Sequence, residues 1–354
     1  MKRIRICACL LLIALLFLAS CGDPYPPVKS TDEEARVVLR MKNGGKTYEA
    51  RYELYRALAL PLRDYYGSTA ADRVDELKRT VADRILEIYT TLALCEELKI
   101  DLYDKSTDEQ IDEYIRLDVE GDSTFEGYGS YDAYLAALRE QYLNYATAEL
   151  LLRYSIGLER LEAHYIGTYD YITQTYKDSA LSFTDADVTA FYNDADTARV
   201  MLIELPREVY TDEQIALTRE ALINARDQGG ESAVADWLLR YTYTDVSITR
   251  GELVTPYTLD NLFYQSVTDC AMALPEGEIS DPIEVMSDEL DSVYLVYRLD
   301  KPDTYLTDNR DAVTDTYRYH LIGRELARVR DALKASMTET DVLKNLDILS
   351  MQMK

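Results

Sequence analysis

Apolar residues recur every three or four positions along much of this chain, and that spacing predicts helices. Leu54, Ala57 and Leu58 begin the first. Val74, Leu77, Val81, Ile85, Ile88 and Leu92 place a long amphipathic one at about 70–98. Residues 107–120 read as another, with Thr107 as its N-cap ahead of Gln110. A loop holding Gly121, Gly127 and Gly129 follows. Leu135, Leu138, Tyr142, Leu150, Leu151 and Tyr154 then predict a helical stretch over 131–165. Thr184 is placed to cap a short helix from Val188 to Tyr192. Ahead of all these, 36–41 reads as a strand entering a tight turn at Asn43-Gly44. Residues 47–51 are its return strand or the entry to a helix.

At Ala198 the texture changes. Residues 199–205 form a compact β-like run closed by Pro206. A helix over 211–227 stops at Gly229-Gly230, and a second, shorter one spans 232–239. A helix near 259–273 and strands at 283–285 and 293–299 complete the segment, which Pro302 ends. Residues 306–336 return to a long amphipathic helix. The pattern is α+β, with a module of roughly 105 residues inserted in a helical framework.

Charge narrows the partners. The formal net charge is −26, which repels nucleic acid and anionic headgroups. Tyr is used 30 times against 5 Phe and 1 Trp. Tyr joins an apolar body to a polar tip and suits half-buried, adhesive surfaces. The two histidines, His164 and His320, sit in helical patterns with no second ligand at metal spacing, so no metal or other cofactor is expected. No phosphate loop or nucleophile elbow is present.

The N-terminus sets the compartment. Lys2, Arg3 and Arg5 precede an apolar run of about 14 residues, short of the roughly 20 a spanning helix needs. Leu18-Ala19-Ser20-Cys21 resembles the lipobox of bacterial lipoproteins. That resemblance implies a signal peptide over 1–20, lipidation of Cys21 and an extracytoplasmic, membrane-anchored protein. Residues 21–35, with Pro24, Pro26 and Pro27, read as a tether. Cys7 and Cys9 leave with the signal. Only Cys95 and Cys270 remain, which excludes a disulfide framework and allows at most one bridge.

The inserted segment, 196–302, resembles a parvulin-type prolyl isomerase domain. The carrying residues are Leu274-Pro275-Glu276-Gly277-Glu278-Ile279-Ser280-Asp281-Pro282-Ile283, followed by the strand at 292–301. Tyr241-Thr242 and Arg250-Gly251-Glu252-Leu253 match weaker family positions. With helical residues 36–195 before it and a closing helix in 303–354, the chain resembles the SurA/PrsA class of extracytoplasmic folding factors. The resemblance implies a helical chaperone domain completed by the C-terminal helix.

The departures from that family bear on chemistry. Its two histidines fall at Val200 and Tyr294, and its third polar group at Tyr243 or Asp245. The apolar floor that grips a proline ring matches Phe263, Val267 and Met272. Rotation about X–Pro faces a barrier of about 18–20 kcal/mol. Lowering it takes a dry pocket with placed hydrogen bonds, and Val200 supplies none. The expected function is therefore a chaperone that holds exported, unfolded polypeptides, with a weak or inactive isomerase module. The other readings are a working prolyl isomerase with an atypical site and a non-catalytic envelope scaffold.

Overall fold

The computed structural model describes residues 25–352 apart from 171–174, 178, 180, 243–249, 258–264 and 287–290. Cys21, Tyr243, Asp245 and Phe263 lie outside the described residues. The protein is α+β, its helices accompanied by short antiparallel sheets. The chain divides into two compact units, Met1–Arg160 with Arg328–Lys354, and Leu161–Ala327.

The first unit opens on a hairpin. Strand β1 (Val37–Asn43) pairs antiparallel with β2 (Lys46–Arg51) across Gly44-Gly45, where Gly44 takes φ +57°. Residues 47–51 are thus the return strand. Helices α1 (Tyr52–Tyr66) and α2 (Val74–Glu97) follow, joined by a 3₁₀ stretch, Gly67–Arg73. Leu77, Val81, Ile85, Ile88 and Leu92 are all buried, as their spacing requires.

Helix α3 (Lys105–Glu120) is capped by Asp104, not Thr107. The Asp104 carboxylate accepts from the Thr107 amide at 2.8 Å, so Thr107 sits one turn inside. The continuous helix expected over 131–165 is broken into α4 (Tyr131–Glu140) and α5 (Tyr145–Tyr165). Tyr142 takes φ +63°, and the Leu143 amide reaches back to the Leu138 carbonyl at 2.8 Å. That is a Schellman ending without the glycine that would announce it.

The second unit is built on a four-stranded sheet, ordered β6-β5-β8-β7. Its strands are β5 (Ala198–Pro206), β6 (Glu252–Val254), β7 (Ile283–Met286) and β8 (Asp291–Leu299). A short hairpin, β3 (Thr168–Asp170) with β4 (Thr175–Lys177), precedes it; the sequence pattern did not reveal it. Helix α6 (Asp185–Tyr192) carries a Thr184–Asp187 capping box. Helix α7 (Asp212–Tyr241) bends at Gly229-Gly230, and Gly230 has φ +64°. Helix α8 (Gln265–Ala273) completes the layer.

Both faces of this sheet are covered. Met201, Ile203 and Leu205 join Val293, Leu295 and Leu299 in a core with Ile215, Leu222 and Leu238 of α7. The alternate residues Ala198 and Val200 join Tyr294 and Val296 in a core with Val267 and Ala271 of α8. Burial on both sides is why 200–203 reads as an unbroken apolar run.

The stretch 274–282 has a physical account too. Gly277 takes φ +82° and its amide donates to the Arg298 carbonyl at 2.8 Å. Ile279 enters the α7-side core, and the Val296 amide donates to the buried Ser280 hydroxyl at 2.9 Å.

Helices α9 (Asp303–Asp308) and α10 (Arg310–Ser336) lead out. Val188, Phe191 and Tyr192 of α6 pack with Leu253, Leu306 and Val313. The buried Arg199 holds Glu231, donates to the Arg250 carbonyl at 2.7 Å, and lies 4.3 Å over the Tyr305 ring. Residues 161–195 and 303–327 therefore group with the sheet. The edges expected at 195/196 and 302/303 followed hydrophobic texture, which does not register helices packed onto a module from its flanks.

In the first unit, strand β9 (Thr338–Glu339) pairs with β1. The Ser336 hydroxyl accepts from the Lys42 amide at 2.7 Å and donates to the Lys42 carbonyl at 2.9 Å. Leu343 of α11 (Asp341–Lys344), Ile348 and Met351 are buried beyond it.

Truncation after Ser336 removes β9 and these three side chains, each worth roughly 2–5 kcal/mol when cut back. The expected outcome in a denaturant titration is loss of the first unit's transition with the second unit's kept. A separate expectation concerns pH. His320 packs against Phe191 and Tyr257, its Nδ1 finds no hydrogen-bond partner among the described residues, and burial lowers its pKa. Arg324 adds to that lowering, while Asp194 and Asp196 oppose it. The unfolded chain then binds the extra proton first, so stability falls as pH drops below about 6.5. His320→Gln should flatten that part of a melting-temperature profile.

Candidate functional site

Four of the residues picked from the sequence come together. Val200, Val267 and Tyr294 are buried in one cluster, and Met272 packs against it half-buried. Val200 sits on β5 opposite Arg298 and Glu252; Tyr294 sits on β8 between Glu204 and Ile283. The cluster is a filled core: Val200 is 0%, Val267 1% and Tyr294 8% exposed. Its polar neighbours are few. The Arg298 guanidinium donates to the Ala271 carbonyl at 2.6 Å, and burial lowers its pKa. Thr268, also buried, has no hydroxyl partner among the described residues.

The two described thiols are both held toward the protonated form. Burial pushes Cys95 up to about 12, and its Sγ lies 3.5 Å from the Gly157 carbonyl. Cys270 is raised as well, again chiefly by burial. Both are free, so no bridge joins them.

The sequence pattern did not reveal a cleft in the first unit, of about 760 Å³. Three separate segments wall it: β2 with the start of α1, the second half of α2 with residues 99–103, and the start of α5. Leu54, Leu92, Leu102 and Tyr89 supply buried apolar surface, while Lys46, Lys99 and Tyr103 are exposed. Among the described residues strand β2 is the edge of its sheet, ordered β2-β1-β9, so one side of it faces the cleft without a strand partner there. Part of that edge is already used, since the Tyr89 hydroxyl donates to the Glu49 carbonyl at 2.7 Å.

The walls are held by charge. Buried Arg153 donates to Asp108 at 2.8 Å, to Glu149 at 2.6 Å and to the Leu102 carbonyl. Its guanidinium lies 4.7 Å from the Tyr103 ring centre. Glu53 accepts from Asn144 at 2.8 Å and from the Ser30 hydroxyl. Tyr48 donates to Glu96 at 2.9 Å, and burial raises its pKa and that of Tyr89, so both phenols stay protonated. One buried hydroxyl lining the cleft, Thr147 Oγ1, has no partner among the described residues. Such a group is expected to meet water or ligand.

No protein-family model matches the chain, and no curated protein matches it in sequence. Among solved structures it is similar to the foldase protein PrsA of Streptococcus pneumoniae str. Canada MDR_19A. Identity is 13% and the TM-score 0.29, over 80% of this chain and 93% of that one. For PrsA of Lactococcus lactis the values are 14% and 0.27, over 87% and 96%. For PrsA of Bacillus subtilis they are 14% and 0.23, over 92% and 94%. Superpositions this loose carry no conclusion.

Lys99 stands out at the cleft rim. It takes φ +59° where α2 ends, and the Ile100 amide donates to the Cys95 carbonyl at 2.8 Å. This is a second Schellman ending without glycine. The left-handed conformation costs a non-glycine residue roughly 1–2 kcal/mol, part of which a glycine would return through its looser unfolded state. Lys99→Gly should therefore stabilise the first unit by roughly 0.5–1 kcal/mol, read as a higher denaturant midpoint at unchanged slope.

Proposed function

We propose that this chain is a membrane-anchored, extracytoplasmic chaperone of SurA/PrsA type that holds unfolded, exported polypeptides. Lipidation at Cys21 would tether it. The cleft of the first unit would take extended client segments. The observation that carries the reading is the open edge of β2 along that cleft. An extended segment can add to such an edge by main-chain hydrogen bonds, which recognise any sequence, while apolar pockets select alternate side chains. At about 3.3 Å per residue, the six residues of β2 span roughly 20 Å. Exposed tyrosines at a rim add contact area at low entropic cost.

Weak or absent isomerisation goes with this reading. A proline ring would have to displace Val200 and Val267 from a close-packed cluster, and neither side chain can hydrogen-bond a twisting amide. The floor position Phe263 and the polar positions Tyr243 and Asp245 keep the roles that the parvulin resemblance implies. An active isomerase remains the alternative enzymatic reading, and an envelope scaffold the structural one.

The test uses the full chain and an aggregating client. Suppression of aggregation is expected, with prolyl turnover in a protease-coupled assay far below that of a parvulin with both histidines. Tyr103→Ala should weaken client binding by roughly 1–2 kcal/mol. A model client peptide methylated on alternate amide nitrogens should bind much more weakly than its parent. Turnover at parvulin level would establish the enzymatic reading instead. No suppression of aggregation would favour the scaffold.

A further inference from the structure

The segment read as a tether is pinned to the fold at several points although most of its side chains are exposed. Tyr25 is buried, donates to Glu120 at 2.8 Å, and packs 5.6 Å from the ring of Tyr131. Tyr131 in turn donates to the Pro26 carbonyl at 2.8 Å. Farther along, the Glu34 carboxylate accepts from buried Arg56 at 2.7 Å. Tyr25 lies four residues after Cys21. Four residues reach at most about 14 Å even when fully extended.

From Tyr25 a row of rings leads to the surface. Tyr131 stacks on Tyr134 at 6.0 Å, Tyr134 meets Tyr128 at 6.1 Å, and Tyr128 meets Phe125 edge-on at 5.6 Å. Phe125 is 46% and Tyr128 37% exposed.

The loop that presents them is stiff. Gly121 and Gly127 have φ +84° and +71°, and a Cβ on Gly127 would lie 2.3 Å from the Gly121 nitrogen. The Tyr128 and Gly129 amides donate to the Asp118 and Val119 carbonyls at 2.8 Å each. Inside the loop, Asp122 Oδ1 accepts from the amides of Thr124 and Phe125 at 2.6 and 3.0 Å. A rigid loop with an exposed Phe–Tyr pair loses little freedom when the pair is buried.

We propose that the 121–130 loop rests Phe125 and Tyr128 in the headgroup region of the membrane that holds Cys21. Aromatic side chains favour that depth, where one end is apolar and the other wet. The short reach from the anchor keeps this patch beside the bilayer. Strong net negative charge on the chain makes an uncharged lipid surface the fitting partner. The inference rests on the anchoring of Cys21 proposed above.

The test reconstitutes the full acylated chain in phosphatidylcholine vesicles with bromine on the acyl chains near the headgroup. Phe125→Trp is made in a Trp237→Phe background, and Tyr103→Trp in the same background serves as reference. The indole introduced at position 125 should lose most of its emission and that at 103 should keep it. Circular dichroism checks that both variants fold, and mass spectrometry reads acylation, which Cys21→Ala should abolish. An acylated chain whose indole at 125 is not quenched overturns the loop contact alone. A chain without acylation at Cys21 overturns the anchoring and this proposal with it. Shielding of position 125 that rises with protein concentration, with no vesicles present, would make the patch a contact between copies and also overturn it.

Discussion

The third strand of the first sheet comes from the far end of the chain, and the first unit cannot be complete without it. β1 is flanked by β2 from its own hairpin and by β9 from nearly 300 residues later. Ser336 clamps both polar groups of the Lys42 backbone. Arg328 reaches Glu97, and Arg63 donates to the Met351 carbonyl. Closing so long a loop is costly for a random chain, though the cost grows only logarithmically with length. Folding the intervening unit first shortens the effective loop. The same pairing decides which edge is left. With β9 on one side of β1 and β2 on the other, the outer edge of β2 is the one that lines the cleft.

Elements governed by local rules were legible in the sequence. The hairpin turn after Asn43, the buried stripe of α2, the Thr184 cap and the break at Gly229-Gly230 each follow from a few neighbouring residues. The misses share a cause. Tyr142 ends a helix in a conformation normally marked by glycine, so nothing local announces that break. The cap at Asp104 was missed for Thr107 because both residue types can cap and only geometry chooses. The cleft was invisible because 46–54, 89–103 and 146–153 meet only in the folded chain.

The second unit shows how a site pattern and a core pattern become hard to tell apart. Val200 and Tyr294 were singled out as replacements for catalytic histidines, and Val267 and Met272 as a ring-gripping floor. All four do converge, which position along the strands alone could suggest. Their burial is what position could not give. The face under α7 is closed, and the face under α8 buries Val200, Val267 and Tyr294 while Leu202 and Ile283 beside them are half-buried. An apolar residue at 200 suits such a layer, whereas a buried histidine without a partner there would cost stability.

The stretch from Tyr25 to Glu34, pinned at three points, leads toward the cleft wall. Tyr25 docks between α3 and α4, while Ser30, five residues on, donates to the Glu53 carboxylate at the cleft wall. Glu53 is itself buried and also held by Asn144 at the start of α5. A flexible leash would let the cleft wander over distances that grow with the square root of its length. A segment pinned at Tyr25, Ser30 and Glu34 removes most of that freedom. On the anchored reading, the cleft then stays at a fixed, short height above the bilayer. Clients emerging from the membrane would meet it at high effective concentration, so modest affinity per segment would suffice for capture.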